Sequence, residues 1–267
     1  MYIRKKFSIF AKLKNSPIKK AFIMLTFLYY ITAGVICFGL YLLSWIAFFL
    51  CYPFDKRRVV VHRISKWITD VVFGLPPHMG RDVVGAENID KNQAYVIVIN
   101  HMSMMDIMSL YPIPLVFKWV SKREVYKIPL VGRLLFMHGD IVINRSSPKE
   151  AMRFVHEQGL KWLNKGASVS IFPEGTRSKD GEIHSFKAGA FILAKEAGVP
   201  ILPVVVEGTN NMLKGPWMNW RNRITIKVLP PISKERVEQE PIKDVMAEVH
   251  EAMVNALAEV RANKKQK

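Results

Sequence analysis

The chain has 267 residues, 50% of them hydrophobic, and a formal net charge of +17. That length fits one globular domain with a real core plus an appendage. Its two cysteines, Cys37 and Cys51, both lie in one apolar stretch; they exclude a disulfide framework and a cysteine metal cluster, and argue against a thiolate nucleophile.

The N-terminal 20 residues carry Arg4, Lys5, Lys6, Lys12, Lys14, Lys19 and Lys20 and no acid. Ala21–Phe54 then runs for 34 residues without a charge, and Lys56, Arg57, Arg58, Arg63 and Lys66 follow. A secretory signal has an apolar core of about 7–15 residues, so this stretch is too long for one. A single membrane helix needs about 20 residues, so the stretch is long for one span and short for two. With bends or ends at Gly34, Gly39 and Pro53, a shallow or re-entrant helical hairpin is expected; one tilted span is the alternative. Tyr29, Tyr30, Tyr41 and Trp45 fit bilayer interfaces. Basic flanks suit the anionic cytoplasmic leaflet, which attracts each such residue by about 1 kcal/mol. The same charge could serve nucleic acid, but no zinc-finger spacing or RNA-binding signature accompanies it.

From about Gly80 the pattern changes to short apolar runs separated by helical stretches. Ala94–Ile99, Pro114–Val120, Ile141–Ile143, Ser168–Phe172 and Ile201–Val206 read as strands. Glu150–Leu163 and Phe186–Ala197 read as helices, with apolar positions three or four apart. Ile224–Val228 is expected as a late strand at a sheet edge. Pro241–Ala262 closes the chain as a helix with Val245, Val249, Met253 and Leu257 at spacings of four. Strands alternating with helices predict an α/β fold, a mixed sheet flanked by helices behind a membrane-embedded helical segment. The expected division is residues 1–70 for the anchor and 71–267 for the α/β domain.

Asn100–Asp106 (NHMSMMD) follows the first of these strands directly. Functional residues gather at the carboxyl ends of strands in open α/β sheets. The imidazole of His101 suits a general base. Asp106 lies a turn into the helix expected near Ser103, where it can fix the imidazole tautomer. Ser103 suits a helix cap or a local hydrogen bond. There is no GxSxG elbow and no HExxH or HxxxH zinc pair, so the hydroxyl to be activated belongs to the substrate. On spacing alone a structural histidine after a strand is as good a reading. Phe172–Ser178 (FPEGTRS) also follows a strand; Gly175 permits a tight turn, Glu174 can hold a hydroxyl or orient the site, and Arg177 can grip phosphate bidentately. Arg145 ends GDIVINR at 139–145, and Lys122 follows Phe117–Ser121. Lys187 is a weaker candidate. Each lone cation reads more readily as a solvated surface group; several after strands suggest an anion site.

Together these stretches resemble the lysophosphatidate acyltransferase family, within the glycerol-phosphate acyltransferase superfamily. NHMSMMD resembles its first motif, GDIVINR the second, FPEGTRS the third with GEIHSFKAGA at 181–190 as its continuation, and VPILPV at 199–204 the fourth. SKREVYKIPLVG at 121–132 resembles the lysine-containing stretch between them. The motifs fall in order across roughly residues 80–230; Val142 stands where the family often has phenylalanine.

The resemblance implies that His101 is the general base and Asp106 its orienting partner. It implies that Lys122, Arg145 and Arg177 bind the acceptor phosphate, that Glu174, Gly175 and Thr176 complete the acceptor site, and that Pro200 and Leu202 are structural. The implied reaction moves an acyl group from acyl-coenzyme A or acyl-acyl carrier protein to lysophosphatidate, giving phosphatidate. No permanently bound cofactor, no metal and no nucleic acid are expected. The expected partners are an anionic bilayer and, for one donor, acyl carrier protein, at the cytoplasmic face of a bacterial inner membrane. Trp217 and Trp220 read as loop or core aromatics, with the interface as an alternative. Rival readings are the same chemistry on glycerol-3-phosphate or another lysophospholipid, and a lipid-binding protein without turnover.

Overall fold

The computed structural model describes residues 17–76, 79–143, 148–214, 217–219 and 222–265. Two helices come first, α1 (Pro17–Cys51) and α2 (Val59–Gly74). The α/β part follows as β1 (Gly80–Val84), β2 (Val96–Ile99), α3 (Met105–Ser109), β3 (Phe117–Lys122), α4 (Arg123–Tyr126), α5 (Val131–His138) and β4 (Ile141–Ile143). It continues with α6 (Pro148–Asn164), β5 (Ser168–Ile171), α7 (Gly189–Ala197), β6 (Ile201–Glu207), a small β7–β8 ribbon (Leu213–Lys214, Trp217–Met218), β9 (Arg223–Val228), α8 (Lys234–Gln239) and α9 (Ile242–Lys265).

The main sheet has the order β1-β9-β6-β2-β5-β3-β4. Strands β6, β2, β5, β3 and β4 are mutually parallel; β9 pairs antiparallel with β6 and parallel with β1, so the sheet is mixed. The central strands are buried on both faces, hence their unbroken Val/Ile runs. Alternate residues feed two cores. Val96, Val98 and Val169 meet helices α6, α7 and α9, where Val245, Val249, Met253 and Leu257 are all buried. Ile97, Ile99, Phe117 and Trp119 meet the opposite layer, to which α1 and α2 contribute Tyr29, Ala33 and Phe73.

Three expectations are corrected. The hairpin does not form inside residues 21–54: α1 is one unbroken helix, and Gly34 and Gly39 sit within it in open space. A helix-interior glycine costs about 1 kcal/mol, too little to break 35 continuous residues. The chain turns only after Cys51, at Pro53. Asp55 then accepts hydrogen bonds from the Val59 and Val60 N–H groups at the start of α2. A hairpin does exist, but between α1 and α2, where the Tyr29 hydroxyl donates to the Val72 carbonyl. Second, Ile224–Val228 is not an edge strand; β9 lies between β1 and β6. The edge on that side is β1, whose sequence GRDVV shows no apolar period. Third, the strand expected over 114–120 starts at Phe117 and reaches Lys122.

Within α1, Ile23–Cys51 is long and apolar enough to cross a membrane, and only 17% of its most apolar window is buried. Exposed Phe27, Leu28, Val35, Phe49 and Leu50 cover its outer side. This N-terminal helix supports membrane association.

Candidate active site

The site begins where β2 ends. Asn100 is buried, and its amide donates to the Val206 carbonyl and accepts from the Val206 N–H, locking the β2 end to β6. The next residue, His101, points its Nδ1 at Asp106 Oδ2, 2.9 Å away. Asp106 is fully buried and heavily bonded: the same oxygen accepts from the Met102 and Ser103 N–H groups at 2.7 and 2.8 Å, and Oδ1 accepts from the Thr209 hydroxyl. Ser103 makes a local bond, its Oγ accepting from the Met105 N–H. An ionised carboxylate suits an environment made of donors. Nδ1 therefore carries the proton toward Asp106, and Nε2 is left as the basic nitrogen.

The loop after β5 is tied to the same place. Glu174 is buried, and each of its oxygens accepts a main-chain N–H, from His101 and from His184, both at 3.0 Å. The Ser178 N–H donates to the His101 carbonyl at 2.8 Å. Phe172 lies flat on the imidazole, ring centroids 3.9 Å apart, and Trp119 lies flat on Phe172. Gly175 turns the loop at φ +75°, where a side chain would be strained and would press on the Lys187 ammonium. Thr176 and Arg177 stand exposed on this loop, and Lys122 is exposed at the carboxyl end of β3, the strand beside β5. Arg145 and Trp220 lie outside the described residues.

His101, Asp106 and Glu174 thus meet through hydrogen bonds, and the segment carrying Arg177 is fastened to the His101 backbone. Among the described residues no group of three or more His, Cys, Asp or Glu side chains stands close enough to hold a metal ion.

The family model named Acyltransferase matches residues 80–207, which contain the whole His101–Ser178 arrangement. The 1-acyl-sn-glycerol-3-phosphate acyltransferase of Saccharomyces cerevisiae is 31% identical over 246 residues, covering 88% of this chain and 79% of that protein. This chain belongs to the lysophosphatidate acyltransferase family. A chloroplastic member, BAT2 of Brassica napus, is 36% identical over 163 residues, 60% of this chain. The chain spans about half the length of that relative, 46%. The crystal structure of the lysophosphatidate acyltransferase PlsC of Thermotoga maritima superposes with a TM-score of 0.70 at 25% identity, covering 91% of this chain and 98% of that one.

Three residues of this lysophosphatidate acyltransferase family chain escaped the sequence reading: Asn100 as a strand clamp, Phe172 as a platform for the imidazole, and Thr209 as a donor to Asp106. Thr209 had one available signal. It follows β6, whose carboxyl end lies beside that of β2.

Proposed function

We propose that this chain transfers a fatty acyl group from an acyl thioester to the free 2-hydroxyl of 1-acyl-glycerol-3-phosphate, giving phosphatidate. The observation that carries the reading is the His101–Asp106 pair, bonded at 2.9 Å and joined through Glu174 and Ser178 to the Arg177 loop. The acceptor hydroxyl gives its proton to His101 Nε2 as its oxygen attacks the thioester carbon. Asp106 fixes the tautomer and stabilises the imidazolium that forms. The tetrahedral oxyanion collapses, the C–S bond breaks, and the thiolate of coenzyme A or acyl carrier protein takes the proton back from Nε2. Lys122, Arg145, Thr176 and Arg177 hold the phosphate. Gly175 lets the loop approach the acceptor. Glu174, with both oxygens already bonded, acts as a positioning residue in preference to a substrate ligand.

The N-terminal 1–70 region would hold residues 71–267 at the cytoplasmic face of a bacterial inner membrane. Each CH₂ of a lysolipid gains about 0.8 kcal/mol from burial in the bilayer, so an enzyme at the leaflet need not extract its acceptor. The test supplies purified protein with lysophosphatidate, glycerol-3-phosphate or another lysophospholipid, each with acyl-coenzyme A and acyl-acyl carrier protein. Phosphatidate from the first acceptor, lost in His101→Ala, is the expected result. Turnover only on another acceptor would move the assignment within the superfamily; full activity in His101→Ala would remove the base.

A further inference from the structure

We propose that Lys127–Arg133, the link from α4 together with the first turn of α5, is a second membrane-contacting element, a rigid apolar tip that enters an anionic leaflet beside the active site. The inference rests on the reading that this chain works at a bilayer, and it adds a place of contact that α1 does not supply.

The tip has an unusual construction. The Val131 N–H donates to the Pro129 carbonyl at 2.7 Å, two residues back, which makes a γ-turn centred on Leu130. Leu130 has φ 64° and ψ −51°, the rare and strained form of that turn, in a bulky residue. Strain of this kind persists only where surrounding contacts over-determine it. They do so here. The Gly132 N–H donates to the Ile128 carbonyl, and a Cβ on Gly132 would lie 1.9 Å from the Tyr126 carbonyl oxygen, so the turn is packed against its own stem. The Tyr126 hydroxyl donates to the Asp140 carbonyl at the head of β4. The apex is therefore fixed, yet what it presents is apolar and unburied: Ile128 is 46% exposed, Leu130 49% and Val131 42%. A soluble surface gains nothing from holding three such side chains outward at a conformational cost.

Charge and continuity name the occupant. Arg123, Lys127 and Arg133 flank the apex, all exposed and without an ion pair to any described residue, and Glu124 is the single acid between Lys122 and His138. Cations at the headgroup level around an apolar wedge match an anionic leaflet. The apolar surface also runs on into the N-terminal helix. Phe136, 53% exposed at the other end of α5, packs on Phe48 of α1 with ring centroids 5.8 Å apart. Arg58 holds that junction by donating to the Met137 carbonyl at 3.0 Å. The α4 stem of the tip follows Lys122 directly, so a tip in the leaflet brings the carboxyl end of β3 to the lipid headgroups.

The experiment uses the full chain carrying Cys37→Ala and Cys51→Ala, with an environment-sensitive fluorophore attached at Leu130→Cys, at Ile128→Cys or, as a control on α8, at Lys234→Cys. It is bound to vesicles of mixed phosphatidylcholine and phosphatidylglycerol. At positions 128 and 130 the emission should shift to the blue, with nitroxide lipid quenching more strongly than aqueous iodide. At position 234 the order should reverse. Lys127→Glu with Arg133→Glu should lower the quenching by nitroxide lipid several-fold. Iodide quenching at position 130 as strong as at 234 would overturn the proposal. Acyl transfer is measured on the same samples: activity with an aqueous position 130 sinks the tip and leaves the proposed reaction standing. A lipid-buried position 130 supports the tip whichever acceptor is acylated.

Discussion

Asp106 Oδ2 accepts three hydrogen bonds, from the His101 ring and two main-chain N–H groups, and Oδ1 accepts one from Thr209. Those N–H groups decide what Asp106→Asn does. They require an oxygen where Oδ2 stands, so the amide nitrogen must face Thr209, whose hydroxyl can accept. The imidazole tautomer then survives and only the negative charge is lost. The expected outcome is a fall in kcat on the order of 10²-fold with little change in thermal midpoint, read by initial rates and calorimetry. An unchanged kcat would show that the charge does nothing for the imidazolium. Leu130→Gly makes the opposite kind of prediction. Glycine accepts a positive φ, so this variant should gain about 1 kcal/mol in denaturant unfolding while binding anionic vesicles more weakly. At this scale the sequence was legible where partners are local. His101 and Asp106 are five apart and could be read together. Glu174 and Thr209 find their bonds 73 and 103 residues away, and no spacing rule reaches that far.

Elements bring a second set of titrating groups together, away from the candidate active site. His62 on α2 lies with its Nδ1 2.9 Å from His138 Nε2 on α5, and His138 Nδ1 donates to Asp140 Oδ1 at 2.6 Å. Asp140 also accepts from the Trp119 N–H of β3, so this chain of bonds ties the helical hairpin to the sheet. Burial, with the neighbouring His138, holds the His62 imidazole well below its ordinary value, and burial lowers His138 against the pull of Asp140. Burial also brings the Lys118 ammonium, which donates to the His138 carbonyl, down to about 7, although Asp140 opposes the shift. The signs follow. Below about pH 6.5 the unfolded chain binds protons on both imidazoles that the folded chain resists, so the imidazoles cost nothing above that value and lower stability as pH drops. Lys118 adds a rise in stability between about pH 7 and its ordinary value near 10.5. Calorimetry should find the thermal midpoint dropping from about pH 7 to 5. His62→Phe, which lets an apolar ring take the place beside Phe117, should lower stability above neutrality yet flatten that slope. A slope unchanged in the variant would assign the acid sensitivity elsewhere. Element types were legible because buried strands read as Val/Ile runs and α9 as spacings of four. The edge strand β1 was not, since half-exposed GRDVV buries too little to leave a pattern.

Over the whole molecule, the sheet separates two jobs. One face packs on α6, α7 and α9; the other carries the α1–α2 hairpin, so that hairpin shares a core with the strands that lead to the candidate site. The layering was readable from the alternation of elements. The position of each strand was not, because the order within a sheet depends on contacts between distant segments. That order has a consequence for how the chain is made. Strand β1 is complete at Val84, but its neighbour in the sheet is β9, which begins at Arg223. A ribosome therefore delivers helix α1, the His101–Asp106 pair and the Glu174 loop while β1 still has no strand to bond. Loop closure over so long a separation is slow, and unpaired edges invite association. A chain stopped just before Arg223 should show rapid amide hydrogen exchange at Gly80–Val84, with slow exchange retained in Val96–Ile99. Protection of β1 in that fragment would mean that it finds another partner during synthesis. If the expected pattern holds, the last of the described strands to be translated is the one that seats the first.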